Sequence, residues 1–431
     1  MYLRGSKWSM NRKRVRPNWF RIILLCLLVL GGAYVNRFII STQPSIFEST
    51  PTPTRAPESF ITEAETLFQE GKLFQAMDAY KEAIASRPED PTTHIALARV
   101  QVFAGLYKEA QISAEDALLL NNDNSMAHAV RAWALDFQGE YLEAEASIKR
   151  ALELDDQNAL AHAYYVEILV DSYYNGTGAV GAIEKAIAAS NVALTLAPDK
   201  LETHRARGYI LEATGNYEEA IREYEVAIGI NPNIPDLHLA LGRNYRTLGI
   251  YDQAVEQFTT ADSLNPEDPT PDLFISRTYA TIGEYSKALQ YADSAVTNSP
   301  ANANLRGNLG VMYYRNSYWP EAVEELGYLV NGGLTKDGNQ IEAVNLTPDD
   351  ARNAEYYFTY GLALARMNKC GEALKIAQMI LARIPADELA VENANEIINR
   401  CQQNLEATPE PLLTPSESAP VSTETPIPPT P

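Results

Sequence analysis

Glycine recurs in this chain at a fixed interval, and the interval dictates what the chain can fold into. Gly71, Gly105 and Gly139 are spaced by 34 residues, and so are Gly215, Gly249 and Gly283. Two residues after five of these stands a tyrosine, at Tyr107, Tyr141, Tyr217, Tyr251 and Tyr285. Five residues after the glycine phase an alanine appears in every unit: Ala76, Ala110, Ala144, Ala186, Ala220, Ala254, Ala288, Ala322 and Ala373. Proline closes most units, at Pro88, Pro198, Pro232, Pro266, Pro300 and Pro385. Within a unit, apolar residues follow a 3.6-residue period over two segments of about 12–14 residues, the pattern of two amphipathic helices. Glycine permits the tight turn between them, the alanines allow close approach, and proline stops the second helix. One such pair cannot cover its own apolar face, so neighbours must stack into a solenoid.

Units such as LETHRARGYILEATGNYEEAIREYEVAIGINPNI, Leu201–Ile234, resemble the tetratricopeptide repeat (TPR), a helix–turn–helix unit of the same length. The resemblance covers nine units over residues 58–387. The eighth (Ala303–Lys336) and ninth (Ala354–Asp387) are degenerate, with Ser317 and Asn368 in the glycine phase. It implies an all-α fold, a right-handed TPR helix-pair solenoid of nine repeats, closed by a capping helix over 388–406. Two insertions interrupt the register, at 173–180 and 337–353. Beside the second, the Lys336-Asp-Gly-Asn stretch predicts a short hairpin.

Charge divides the chain unevenly. Residues 1–37 hold eight of its 35 Lys and Arg and no acid, so residues 38–431 carry 27 basic against 56 acidic side chains. So acidic a body is unsuited to nucleic acid. Behind the basic flank lies a charge-free run of 15 residues, Ile22–Asn36. A spanning helix needs about 20 residues. Trp19, Phe20 and Phe38–Ile40 extend the run, and Arg21 and Arg37 can snorkel to the two interfaces. A transmembrane signal anchor is therefore expected over 22–40, with residues 1–21 cytoplasmic and everything after the helix extracytoplasmic. The alternative is a signal peptide cleaved near the small residues Gly31-Gly32-Ala33. Leu25 before Cys26 argues against a lipoprotein. The Pro/Ser/Thr-rich segments 41–57 and 407–431 read as a linker and a disordered tail, too polar to offset chain entropy.

Two patterns imitate chemistry. Gly176, Gly178 and Gly181 form G-x-G-x-x-G, the mark of a dinucleotide-binding turn. Such a turn needs a strand before it, and here the preceding AHAYYVEILVDSYY belongs to a helix of the fourth unit, so the stretch reads as a projecting insertion. All five histidines, His94, His128, His162, His204 and His238, share one phase. On stacked helices they stand roughly 8–10 Å apart, whereas imidazole–zinc bonds are about 2.1 Å, so they read as packing residues. No G-x-S-x-G elbow, Walker loop, H-E-x-x-H or Cys-x-x-Cys is present. The expectation is a protein with no catalytic, cofactor or metal residues.

In such solenoids the first helix of each unit lines the concave face. An unexpected set of arginines stands there in an acidic chain: Arg205, Arg243, Arg246 and Arg277, with Arg99 before them, Arg315 after them, and Tyr209 and Trp133 in the same phase as Arg243. Guanidinium forks beside aromatics suit an acidic peptide or a C-terminal carboxylate. The Lys and Asn clamp known from some TPR domains is not reproduced. Pairing with neighbouring acids is the other reading. Cys370 and Cys401 fall on antiparallel helices at one edge, which predicts a disulfide in an oxidising compartment; two free thiols are the alternative. Together these features predict a membrane-anchored scaffold for a protein or peptide partner, with a secreted binder of envelope polysaccharide or peptide as the alternative.

Overall fold

In the computed structural model the described residues are 18–35, 37, 55–348 and 350–407. The basic N-terminus, most of the 41–57 linker, residues 38–40 of the expected anchor and the tail beyond 407 lie outside them. The chain divides into two units, residues 1–56 and 57–431.

The first unit contains α1 (Trp19–Val35), 17 residues with no buried side chain. At 1.5 Å per residue it is about 26 Å long, against a hydrocarbon core of about 30 Å. Among the described residues no helix is long and apolar enough to cross a membrane, so a spanning segment over 22–40 is not supported by the helix observed.

The second unit is a run of nine helix pairs and a final helix. The first three pairs are α2 (Pro57–Gln69) with α3 (Leu73–Ser86), α4 (Pro91–Phe103) with α5 (Tyr107–Leu120), and α6 (Ser125–Asp136) with α7 (Tyr141–Leu154). The next are α8 (Ala159–Tyr174) with α9 (Ala182–Leu196), α10 (Leu201–Ala213) with α11 (Tyr217–Ile230), and α12 (Pro235–Thr247) with α13 (Tyr251–Leu264). The last are α14 (Pro269–Thr281) with α15 (Tyr285–Asn298), α16 (Ala303–Arg315) with α17 (Trp319–Asn331), and α18 (Ala351–Arg366) with α19 (Cys370–Arg383). α20 (Glu388–Ala407) follows.

The periodic residues explain each element. The turn glycines adopt positive φ, from +74° at Gly71 to +84° at Gly283, where a Cβ is strained. In the degenerate units Ser317 and Asn368 hold that conformation at φ 66° and 59°. All nine phase alanines, Ala76 through Ala373, are fully buried between helices. Asp or Asn side chains cap most first helices: Asp90, Asn124, Asn158, Asp268, Asn302 and Asp350 each accept a backbone N–H of the first turn.

Both interruptions are seen among the described residues. α8 continues to Tyr174, so the fourth-unit insertion emerges as the loop 175–181, one turn later than its sequence phase. The second contains a two-stranded antiparallel hairpin, β1 (Gly333–Leu334) paired with β2 (Gln340–Ile341).

The array also meets itself. One apolar core joins Ala64, Leu73 and Met77 of the first pair, and Leu97 and Val100 of α4, to Leu201, Tyr224, Ile234, Leu237 and Leu241 of the fifth and sixth. Arg99 on α4 is salt-bridged to Glu202 on α10. From the turn between α11 and α12, Asn231 donates to the Phe68 carbonyl at 3.2 Å and Asn233 to the Gln69 carbonyl at 2.8 Å. Part of the inner face of these units is therefore covered by the array itself.

Candidate functional site

This closure decides where the candidate arginines lie. Arg205 and Tyr209 on α10 and Arg243 on α12 line a cavity of about 470 Å³, together with Glu167 and Asp171 on α8 and Glu212 on α10. Their charges are matched internally. Arg205, with 12 % of its side chain exposed, pairs with Glu167, at 3 %, and with Asp236 at 2.9 Å. Its guanidinium stacks 5.4 Å from the Trp133 ring, and the Trp133 indole donates to Glu167 at 2.7 Å. Arg243 donates to Glu212 at 3.2 Å, and the Tyr209 hydroxyl donates to Asp171. Burial works against the Arg205 charge, but Glu167 and Asp236 hold it protonated far above the usual range.

The acids of this network are the residues that phase alone did not single out. Asp136, at the end of α6, is 3 % exposed. Burial, then Asp171 and Glu167, raise its carboxyl well above the usual range. With both aspartates ionised neither Asp136 oxygen has a hydrogen-bond partner; protonated, Asp136 donates to Asp171. A signal for the ion pairs does exist in the sequence. Arg205–Asp236 and Glu212–Arg243 are each 31 residues apart, three short of the repeat, which brings one inner helix against the turn below it on the next.

Arg246 and Arg277 lie elsewhere. With Arg315 on α16 and Arg352 on α18 they line a second pocket of about 280 Å³ on the inner helices of units six to nine, bordered by Tyr356 and Glu355. Arg352 pairs with Glu355 at 2.9 Å. Among the described residues no carboxylate is ion-paired with Arg246, Arg277 or Arg315, whose contacts are aromatic. Arg246 lies 5.2 Å from the Phe274 ring and Arg315 5.9 Å from the Tyr285 ring. Arg277 donates to the Tyr356 hydroxyl at 3.3 Å, and its Nε is buried without a partner. Burial, then the positive charge of neighbouring arginines, holds Arg246 below the usual arginine range; burial does the same to Arg277.

The two imitative patterns resolve locally. In the triple-glycine loop, the amides of Thr177 and Gly178 donate to the Ser172 carbonyl and that of Gly176 to Tyr173, at 2.8–3.1 Å. Those N–H groups are spent on the end of α8, and the element before them is a helix. Each histidine ring uses Nε2 to contact a carbonyl six residues upstream, from 3.3 Å for His94 and Pro88 to 2.8 Å for His204 and Pro198. Arg306, in the equivalent place of the eighth unit, donates to the Pro300 carbonyl at 2.7 Å. The ladder latches six of the nine first helices to the loop before them. Among the described residues no group of His, Cys, Asp or Glu could hold a metal ion. Cys370 and Cys401 form a disulfide between α19 and α20, with Cα atoms 5.4 Å apart.

The fold is that of a helix-pair repeat protein. Sequence models of the tetratricopeptide repeat match residues 67–134, 127–158, 208–249 and 239–303. No curated protein matches the chain. Among solved structures, it is similar to one described by the functional characterisation of Pseudomonas aeruginosa pilF, at 20 % identity and TM-score 0.40 over 48 % of this chain and 90 % of that one. A tetratricopeptide repeat protein from Parabacteroides merdae is 16 % identical, TM-score 0.39, over 59 % and 98 %. PilW, described as a widely conserved type IV pilus biogenesis factor, is 22 % identical, TM-score 0.42, over 48 % and 91 %.

Proposed function

We propose that this protein is a non-catalytic scaffold that holds a partner protein near a membrane, receiving an acidic segment of it on the inner helices of units six to nine. The observation that carries this reading is the arginine pocket. Where Arg99, Arg205 and Arg243 pair with acids of the array, Arg246, Arg277 and Arg315 have, among the described residues, no ion-paired carboxylate, in a chain of excess acid. Arg205, Tyr209 and Arg243 line the neighbouring cavity and support the helices that present the pocket. A membrane anchor is supported by the charge-free run Ile22–Asn36 behind its basic flank, which favours an extracytoplasmic array. Cell fractionation separates this from the secreted alternative, which requires soluble release with a new N-terminus near Ala33.

The test is crosslinking capture by the full-length chain in its native membrane, wild type against Arg246→Glu with Arg277→Glu. Loss of the crosslinked partners from the variant at equal abundance is expected. An unchanged set of partners overturns the pocket as the recognition site.

A further inference from the structure

The register that neutralises arginines elsewhere in the array brings like charges together here. Arg246 and Arg277 are also 31 residues apart, the separation that sets Arg205 against Asp236 and Glu212 against Arg243. At this one step of the solenoid both positions are arginine, and Arg315 and Arg352 join them from the next two inner helices. Four guanidinium groups then face one carboxylate, Glu355, an excess of three positive charges around about 280 Å³. Self-repulsion of this kind is costly within a partly dry pocket, and the chain has acids in abundance that it does not place there.

We infer that the pocket of Arg246, Arg277, Arg315 and Arg352 is an oxyanion site for a dianionic phosphate group, free or as a monoester. The inference rests on the reading of this pocket as the array's recognition site and names the chemistry it takes. A single carboxylate offers one charge and two oxygens, enough for one or two arginine forks. A phosphate monoester offers a charge of about −1.5 to −2 and three acceptor oxygens at neutral pH, and its tetrahedral shape lets forks approach from several helices at once. Lysines would be poorer here: planar guanidinium groups already stacked on Phe274 and Tyr285 keep their donors fixed toward the pocket. Tyr356, Val311 and Met312 line the same pocket beside these guanidinium groups.

Titration calorimetry of the full-length chain with inorganic phosphate, a phosphoserine peptide and acetate tests this. Phosphate and phosphopeptide are expected to bind and acetate is not. Affinity should weaken at least about tenfold in Arg246→Gln and again in Arg277→Gln. It should also weaken as the pH is lowered through about 6, where the phosphomonoester gains its second proton. The guanidinium groups of arginine stay charged throughout that range. Arg222→Gln, on α11 with 62 % of its side chain exposed, controls for loss of charge alone and should bind as wild type does. Tighter binding of the phosphopeptide identifies a modified protein as the source; equal binding identifies free phosphate. Acetate binding as well as phosphate, no phosphate binding by the wild type, or retained binding in the doubly substituted chain overturns the inference. Phosphate binding that survives alongside arginine-independent partner capture overturns the recognition reading instead.

Discussion

Asp136 and Asp171 share one proton inside the array, and that proton ties stability to pH. The unfolded chain releases it near the ordinary aspartate value of 3.8, whereas burial and the neighbouring Asp171 and Glu167 keep it on Asp136 well above that. The folded state therefore binds more protons. Its stabilisation is full below the unfolded value and is lost as pH rises through the folded one. Arg205 faces the same pair and limits the shift without reversing it. Asp136→Asn keeps a donor to Asp171 and removes the titration. Urea midpoints of the wild type should fall as pH climbs from about 4 to about 8, and those of the variant should fall less; parallel curves would remove Asp136 from the account. Reading by phase found the arginines of this region because basic side chains are outnumbered in an acidic chain. It passed over Asp136, Glu167 and Asp171 because acids are everywhere in the sequence, and a buried acid is spelled the same as a solvated one. The 31-residue separation was available, but its meaning depends on how far one helix steps past the next, which a 34-residue period alone does not specify.

Helices and turns were the most legible level, because each depends on neighbours inside one repeat. The glycine-phase turns, the phase alanines and the Asp and Asn caps all act within about 20 residues of chain. The short hairpin at 333–341 was readable from Lys336-Asp-Gly-Asn for the same reason. The loop at 175–181 shows the limit: the insertion was visible as a register shift, but the extra turn of α8 before it was not, since Tyr173 and Tyr174 continue the helical pattern without a stop signal. At the C-terminal end, α20 covers the last pair with Ala390, Ala394 and Ile397, all fully buried. The Cys370–Cys401 bridge closes a 31-residue separation between α19 and α20, worth about 3–4 kcal/mol by loop entropy. In a repeat array that stabilisation is local, because each unit contacts chiefly its neighbours. Reduction, or Cys370→Ser with Cys401→Ser, should therefore raise amide hydrogen exchange across Glu388–Ala407 by roughly 150- to 800-fold. Exchange in α4 should not change. Uniform acceleration along the array would show that the bridge holds more than the cap.

At the scale of the whole array, closure separates this molecule from an open solenoid. Stability in a linear repeat protein is a sum of unit and nearest-neighbour terms, and unfolding can begin at either end. Here the Asn231 amide reaches the Phe68 carbonyl across 163 residues of sequence, and the core around Leu97 and Leu237 is shared between distant units. The first unit therefore cannot fray without opening a contact to the fifth and sixth. No repeat pattern announces this, because a pattern compares each unit with the next one and never with the unit four or five positions on. Gly71 tests the closure. A Cβ there would sit 2.5 Å from the Asn233 Cβ, in the docked turn, while Gly105 has nearly the same φ and open space around it. Both Gly71→Ala and Gly105→Ala incur the left-handed backbone strain, about 1–2 kcal/mol. Only Gly71→Ala also pushes the docked turn away, removing the two side-chain hydrogen bonds to the Phe68 and Gln69 carbonyls, at about 1 kcal/mol each. Small-angle scattering should therefore give a larger radius of gyration for Gly71→Ala and an unchanged one for Gly105→Ala. Denaturation of Gly71→Ala should broaden as the first unit separates from the cooperative block. Equal radii for the two variants would mean that the inner face of units one to six opens in solution, and Arg205 and Arg243 would then return as surface for a partner.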